Sequence, residues 1–292
     1  MNPPLAPDEA LALVRAGHRD VEPVSCVPLR RGCNDHYLVE GRRERYVYRV
    51  YLDGKYYIGS RGDFEFELKL LEFLDERGVP VARPVRRDDG ALLGRTSAAS
   101  GARATALFEH APGAPAGRAD LSVGRCVALG RLAAELHLAA DRFSCRHDRY
   151  HLDLELLLHE PLRLIRREGG ERAEAFLASL PPVNELVEAV GTLDAGDGRY
   201  GLIHADLHGM NMHFDGDRVT LFDFDHCAHG WRAYDLATAF HLADGQRDAV
   251  FEGYDAVRPL SRDERDCLPV FARLREIWNV GDALALEALG SG

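Results

Sequence analysis

Polar and apolar residues alternate over 36–40 (HYLVE) and 45–51 (RYVYRVY), and the polar turn Gly41-Arg42-Arg43-Glu44 separates the two runs. A period of two in β-branched and aromatic residues predicts a hairpin. The period lengthens over 64–77 (FEFELKLLEFLDER), where Phe66, Leu70, Phe73 and Leu74 recur at helical spacing. Asp63 is the expected cap of that helix, with Gly78 and Pro80 as its stop. Further strands are expected near 91–93 and over 103–109 (RATALFE).

Ala111-Pro112-Gly113-Ala114-Pro115-Ala116-Gly117 reads as a linker. Beyond it helical patterns dominate, at 121–140, 151–167, 171–180, 183–191, 233–243, 247–256 and a long stretch from 261. Ser261 and Glu264 form a capping box for the last, and Pro269 is expected to kink or split it. Short strands are predicted only at 201–203, 212–214 and 219–222, the last two joined by Asp215-Gly216-Asp217. The pattern predicts an α+β chain with a small antiparallel-β lobe, residues 1–110. A hinge near 108–113 joins it to a larger, mostly helical lobe, residues 111–292.

Charge sharpens the picture. Residues 1–112 carry 17 Asp+Glu and 17 Lys+Arg, whereas 113–292 carry 30 and 19, so the whole net charge of −11 lies in the second part. That excess argues against a nucleic-acid partner and would favour a cationic acceptor such as an amine. Nothing in the chain reads as a membrane span or a signal peptide. The six cysteines form no C-x-x-C pair, which suits a reduced, cytoplasmic protein, monomeric or homodimeric.

Residues 201–225 (GLIHADLHGMNMHFDGDRVTLFDFD) hold the candidate chemistry. Asp206 and Asn211 share a polar loop, and a hairpin returns Asp223 beside them. Such a set suits phosphoryl transfer: Asp206 orients the attacking hydroxyl and accepts its proton, while Asn211 and Asp223 hold magnesium. In LFDFD, Asp223 and Asp225 stand at an apolar strand end, a costly place for charge without a compensating cation.

The stretch G-L-I-H-A-D-L-H-G-M-N…F-D-F-D…R-A-Y-D-L-A resembles the signature of the aminoglycoside phosphotransferase and choline kinase superfamily. FELKLLEFL…GVPVARPV, ALFEHAPG and LGRLAAELH are similar to that family's segments in the same order, nearest to the homoserine-kinase-like and stress-response-kinase-like branches. The resemblance implies a protein-kinase-like fold, ATP and Mg2+ as cofactors, and a small-molecule acceptor. It makes Asp206 the base with His204 its support, and Asn211, Asp223 and Asp225 the metal-side residues. Asp235 is expected to brace the loop. Arg49 takes the place of the phosphate-gripping lysine, with Glu67 as its ionic partner. Gly32 belongs to a phosphate loop at 31–36, and Glu109 and Ala111 offer backbone groups to adenine. His208 and Trp231 are expected near the acceptor.

Ala205 replaces the arginine of the protein-kinase motif and no activation segment follows Asp225, which favours a small acceptor. A protein Ser/Thr kinase of the stress-response type and a catalytically silent kinase-like binder are the alternatives. Histidines 204, 208, 213, 226 and 229 raise a rival, a two-His-one-carboxylate iron site starting at His204-x-Asp206.

Overall fold

The computed structural model describes residues 4–32, 34–96, 102–193, 196 and 198–289. Its first part is a five-stranded antiparallel sheet in the order β1-β2-β3-β5-β4. The strands are β1 (Ser25–Arg31), β2 (Asn34–Glu40), β3 (Arg45–Tyr51), β4 (Gly94–Arg95) and β5 (Ala104–Glu109). The predicted hairpin forms with Leu38 opposite Val47. The strand expected near 91–93 lies slightly later, as the short β4.

Period-two alternation sends each strand's residues to two faces. One face carries Val39, Tyr48, Val50 and Leu107 and packs under α1 (Pro7–Gly17), a helix that the sequence pattern did not reveal. Tyr51, Ala106 and Phe108 share the other core with α2 (Arg61–Glu76). The cap of α2 is Ser60 rather than Asp63. Ser60 and Asp63 instead form a capping box, in which Asp63 Oδ2 accepts from the Ser60 amide at 2.9 Å. The helix therefore starts three residues earlier than its apolar stripe.

The second part is mostly helical: α3 (Val123–Ala140), α4 (Glu160–Glu168), α5 (Gly170–Ala178), α6 (Val183–Gly191), α7 (Arg232–Leu236), α8 (Asp244–Asp255) and α9 (Arg262–Ala288). The expected helix at 151–167 is replaced by β6 (His151–Leu152), a π-helical turn at Glu155–His159, and α4. β6 joins β10 (Ala228–Trp231) and β7 (Tyr200–Ile203) in a small sheet, while β8 (Met212–Asp215) and β9 (Arg218–Leu221) form the predicted hairpin. β6 has two residues and β10 (Ala-His-Gly-Trp) no β-branched one, so neither leaves a strand pattern. Gly130 and Gly253 let α3 and α8 touch backbone to backbone, since a Cβ on Gly130 would stand 1.8 Å from the Val250 carbonyl oxygen.

Pro269 does not split α9, which runs unbroken for 27 residues. A proline inside a helix costs about 3 kcal/mol. Leu268, Phe271, Leu274, Ile277 and Trp278 are all buried along this helix, and each such side chain contributes roughly 1.5–3 kcal/mol. Burial therefore outweighs the missing hydrogen bond. No helix of the described residues is long and apolar enough to cross a membrane.

Candidate active site

β7 delivers the chain to His204, and the loop that follows is held from beneath. The amides of His204 and Ala205 donate to Asp235 Oδ2 and Oδ1 at 2.8 and 2.7 Å. Asp235 lies in α7 and is fully buried. His137 Nε2 stands 3.1 Å from its Oδ2, and the Tyr254 hydroxyl 2.9 Å from His137 Nδ1. Burial opposes the charge of Asp235, yet the His137 and His204 hydrogen bonds hold it below the usual carboxylate range. Its carboxylate serves the loop and not its own helix, as the bracing expectation requires.

Both nitrogens of His204 are engaged: Nε2 donates to the Phe222 carbonyl at 3.0 Å, and Nδ1 accepts from the Asp206 amide at 3.3 Å. Burial lowers its pKa, so the ring is a neutral spacer between the loop and Phe222. That leaves no lone pair for iron. Among the described residues no group of three or more His, Cys, Asp or Glu side chains is placed to hold a metal in the manner of the rival site.

Asp206 is the half-open member of the group, with 22% of its side chain exposed. Arg275 Nη2 donates to Oδ1 at 2.6 Å, Asn211 Nδ2 donates to Oδ2 at 2.7 Å, and His208 Nε2 lies 3.2 Å from Oδ2. Burial would raise the pKa of this carboxyl. His208, His226 and Arg275 outweigh it, so Asp206 stays ionised well below the usual range.

Opposite the loop, Arg49 and Glu67 meet as expected, at 2.6 Å, both buried. Arg49 Nη2 also reaches Asp223 Oδ1 at 2.8 Å, and its Nε donates to His36 Nε2 at 3.1 Å. Tyr51 satisfies the second oxygen of Glu67 at 3.0 Å. Burial pushes the His36 pKa down to about 4, and its Nδ1 has no partner.

The cation that offsets Asp225 is a lysine. Lys55 Nζ lies 2.8 Å from Asp225 Oδ2, and Asn34 Nδ2 donates to the same oxygen at 2.7 Å. The two charges are almost fully buried together. Asp225, expected on the metal side, thus has its Oδ2 engaged in an internal ion pair. Asn211 and Asp223 retain hard oxygens suited to magnesium. The amide nitrogen of Asn211 is taken by Asp206, which leaves its oxygen as the end for a cation.

Sequence reasoning missed Arg149 and Arg275, and it did not foresee that Asn34, expected in the phosphate loop, and Lys55 would meet at Asp225. Arg149 is buried, and its guanidinium donates to the carbonyls of Cys227 (2.6 Å), Asp63 (2.8 Å) and Asp225. It ties the start of α2 to the segment that follows Asp223. These residues sit 70 or more positions from some of their partners, and no local pattern marks them.

Two cavities flank the loop. The first, about 320 Å3, is lined by Leu29, Val47, Ala82 and Phe108 from the sheet side and by Met210 and Phe222 from the other, and it ends at Arg49 and Asp223. Glu109 and Ala111 border it, though the Ala111 carbonyl already accepts from His213 at 2.9 Å. Gly32 lies in a tight turn between β1 and β2, its amide donating to the Asn34 carbonyl at 3.1 Å. Cys33, also part of the expected phosphate loop, lies outside the described residues.

The second cavity, about 360 Å3, is bordered by Leu207, His208, Met210 and Arg275. Its single acidic lining residue among those described is the engaged Asp235, so the acidity of this part does not concentrate there. Trp231 borders neither cavity. It pairs with Tyr200 at the far end of β7 from the loop and packs on Tyr200 and Phe271. Of the two residues expected near the acceptor, His208 borders the second cavity and reaches Asp206, whereas Trp231 lies away from both cavities; the other tryptophan, Trp278, packs on Tyr56 and Tyr57.

A small antiparallel sheet, a larger helical part, and an Asp–Asn–Asp set between them define a protein-kinase-like, two-lobed phosphotransferase fold. The chain belongs to the phosphotransferase enzyme family (APH), whose model matches residues 26–269. A protein of Synechocystis sp. is 33% identical over 283 residues, covering 94% of this chain and 77% of its own. The homoserine kinase of Brucella ovis is 32% identical over 225 residues, covering 73% of this chain and 65% of its own. Among solved structures, an amicoumacin kinase in complex with AMP-PNP, Ca2+ and Ami aligns with a TM-score of 0.72 at 20% identity, covering 88% of this chain and 79% of its own. The protein is thus a kinase-family enzyme acting on a hydroxyl group of a small molecule.

Proposed function

We propose that the protein transfers the γ-phosphoryl group of ATP, in the presence of magnesium, to a hydroxyl of a small, amine-bearing molecule. The observation that carries this reading is the loop itself: Asn211 donates to Asp206 Oδ2 at 2.7 Å, and the Phe222 amide donates to the Asn211 carbonyl at 3.0 Å, which sets Asp223 next in the chain at the border of the first cavity. ATP lies in the first cavity, its adenine beside Glu109 and Ala111 and its phosphates toward Arg49 and Gly32. The hinge falls at 108–113 and divides residues 1–110 from 111–292. Asn211 and Asp223 hold magnesium, which neutralises phosphate charge when bound.

Asp206 performs the proton chemistry. The acceptor oxygen bonds to phosphorus as the bond to the ADP oxygen breaks, and the hydroxyl proton passes to Asp206 Oδ2. Because this carboxylate is held ionised, its main contribution is orientation, with proton acceptance late in the transfer. The likeness to homoserine kinases supports an amino-acid or amino-alcohol acceptor.

The test is Asp206→Asn. Turnover is expected to fall about 1,000-fold, measured as ATP consumption with amino alcohols, amino acids, sugars and aminoglycosides, while nucleotide affinity by calorimetry stays within about twofold. Retained turnover refutes the assignment.

A further inference from the structure

The loop that carries Asp206 begins with a strained peptide. Ala205 has a φ of 65°, a left-handed state that costs a non-glycine residue about 1–2 kcal/mol. Two residues hold that peptide from opposite sides. Its N–H donates to Asp235 Oδ1 at 2.7 Å, and its carbonyl accepts from Arg275 Nη1 at 2.9 Å. The second nitrogen of the same guanidinium reaches Asp206 Oδ1 at 2.6 Å.

A guanidinium is planar and its two terminal nitrogens have a fixed spacing. It therefore couples the orientation of the Ala205 carbonyl to that of the Asp206 carboxylate. Arg275 cannot wander, because it is buried on α9 with its guanidinium 5.7 Å from the centre of the Tyr234 ring. With Oδ1 taken by Arg275, Oδ2 is left on the side of Asn211 and His208. Arg275 also borders the second cavity, beside Leu207 and His208. Burying an arginine merely to gain stability is inefficient, since apolar residues of similar volume often serve as well. The geometry here is suited to aiming a carboxylate.

We propose that Arg275 is a positioning residue for phosphoryl transfer, fixing Asp206 so that Oδ2 receives the acceptor proton. This rests on the reading of Asp206 given above. A displacement of about 1 Å at a reacting group costs on the order of 100-fold in rate.

Arg275→Ala is therefore expected to lower turnover about 100-fold, read as magnesium-ATP hydrolysis by water and as transfer to homoserine. The KM for ATP and the affinity for a non-hydrolysable ATP analogue should stay within about twofold. Arg275→Lys, whose single ammonium reaches one oxygen at a time, should recover about tenfold of that loss. Turnover of Arg275→Ala within about threefold of the parent overturns the proposal, as does nucleotide affinity falling in step with turnover. Should Arg275→Ala fail to fold by circular dichroism, Arg275→Lys decides on the same two readings. Asp206→Asn separates the layers: if it is fully active, the phosphotransfer reading falls, and if it is silent while Arg275→Ala is active, only the role of Arg275 falls.

Discussion

The two sides of the cleft are built on different principles. On the sheet side, charges meet across the lobes: Arg49 reaches Asp223, and Lys55 with Asn34 reaches Asp225. On the loop side, the partners Asp235, His137, Asn211 and Arg275 all come from the helical part and form a connected hydrogen-bond network around a strained peptide. Cross-lobe ion pairs can exchange a protein partner for a phosphate or a metal, because charge is interchangeable with charge. A buried network that fixes one backbone conformation has no such substitute. The sheet side is thus suited to receiving a ligand, and the loop side to staying still.

Breaking each side should give different symptoms. The largest effect is expected from Asp235→Ala, which strands two buried amides and His137. Removing one partner of such a buried group costs about 3–5 kcal/mol, so thermal and urea unfolding should both shift strongly. A loss below about 1 kcal/mol would move the brace elsewhere.

Arg49→Met tests the opposite side. It removes the cation shared by Glu67 and Asp223, and the nucleotide dissociation constant should rise about 100-fold, on the scale of a truncated charge pair. Burial already raises the Glu67 pKa, so the orphaned carboxyl can protonate and stability should change less than for Asp235→Ala. Unchanged nucleotide binding by calorimetry would remove Arg49 from the phosphate site.

The smallest effect sharpens the comparison. Lys55→Met leaves Asp225 buried without its cation, but Asn34 still donates to the same oxygen, so the cost in urea unfolding should be about 2 kcal/mol, below the full penalty of an unpaired buried charge. Adding Asp225→Asn should return part of that loss, while Asp225→Asn in the parent should not stabilise. If Lys55→Met instead spares stability and weakens metal binding alone, Asp225 belongs with the metal-side residues after all.

Much of this was legible from local patterns. The β2–β3 hairpin, α2, the β8–β9 hairpin and the capping box of α9 each carry their own periodicity and turn residues, so they read directly. The Asp206–Asn211 spacing and the return of Asp223 were legible for the same reason, being set by one loop and one hairpin. Arg49 with Glu67 came through resemblance, and the structure brings them together. β6 escaped because two residues cannot show a period, and β10 because Ala-His-Gly-Trp carries no β-branched residue. Pro269 does not split α9, because propensity ignores how much apolar surface the helix buries along its length.

The sequence by itself determined the chemistry-bearing loop, the β2–β3 and β8–β9 hairpins with α2, and the division of charge between the two parts. Those features depend on neighbours along the chain. Only the tertiary structure decided that Lys55 neutralises Asp225, that Arg149 ties α2 to the segment after Asp223, that Trp231 lies away from the cavities, and that Arg275 holds Asp206. The three charge pairings join side chains and partners 69 or more residues apart. Burial removes water as an alternative partner, so the final pairing of charges is set by the folded geometry, which no local pattern encodes.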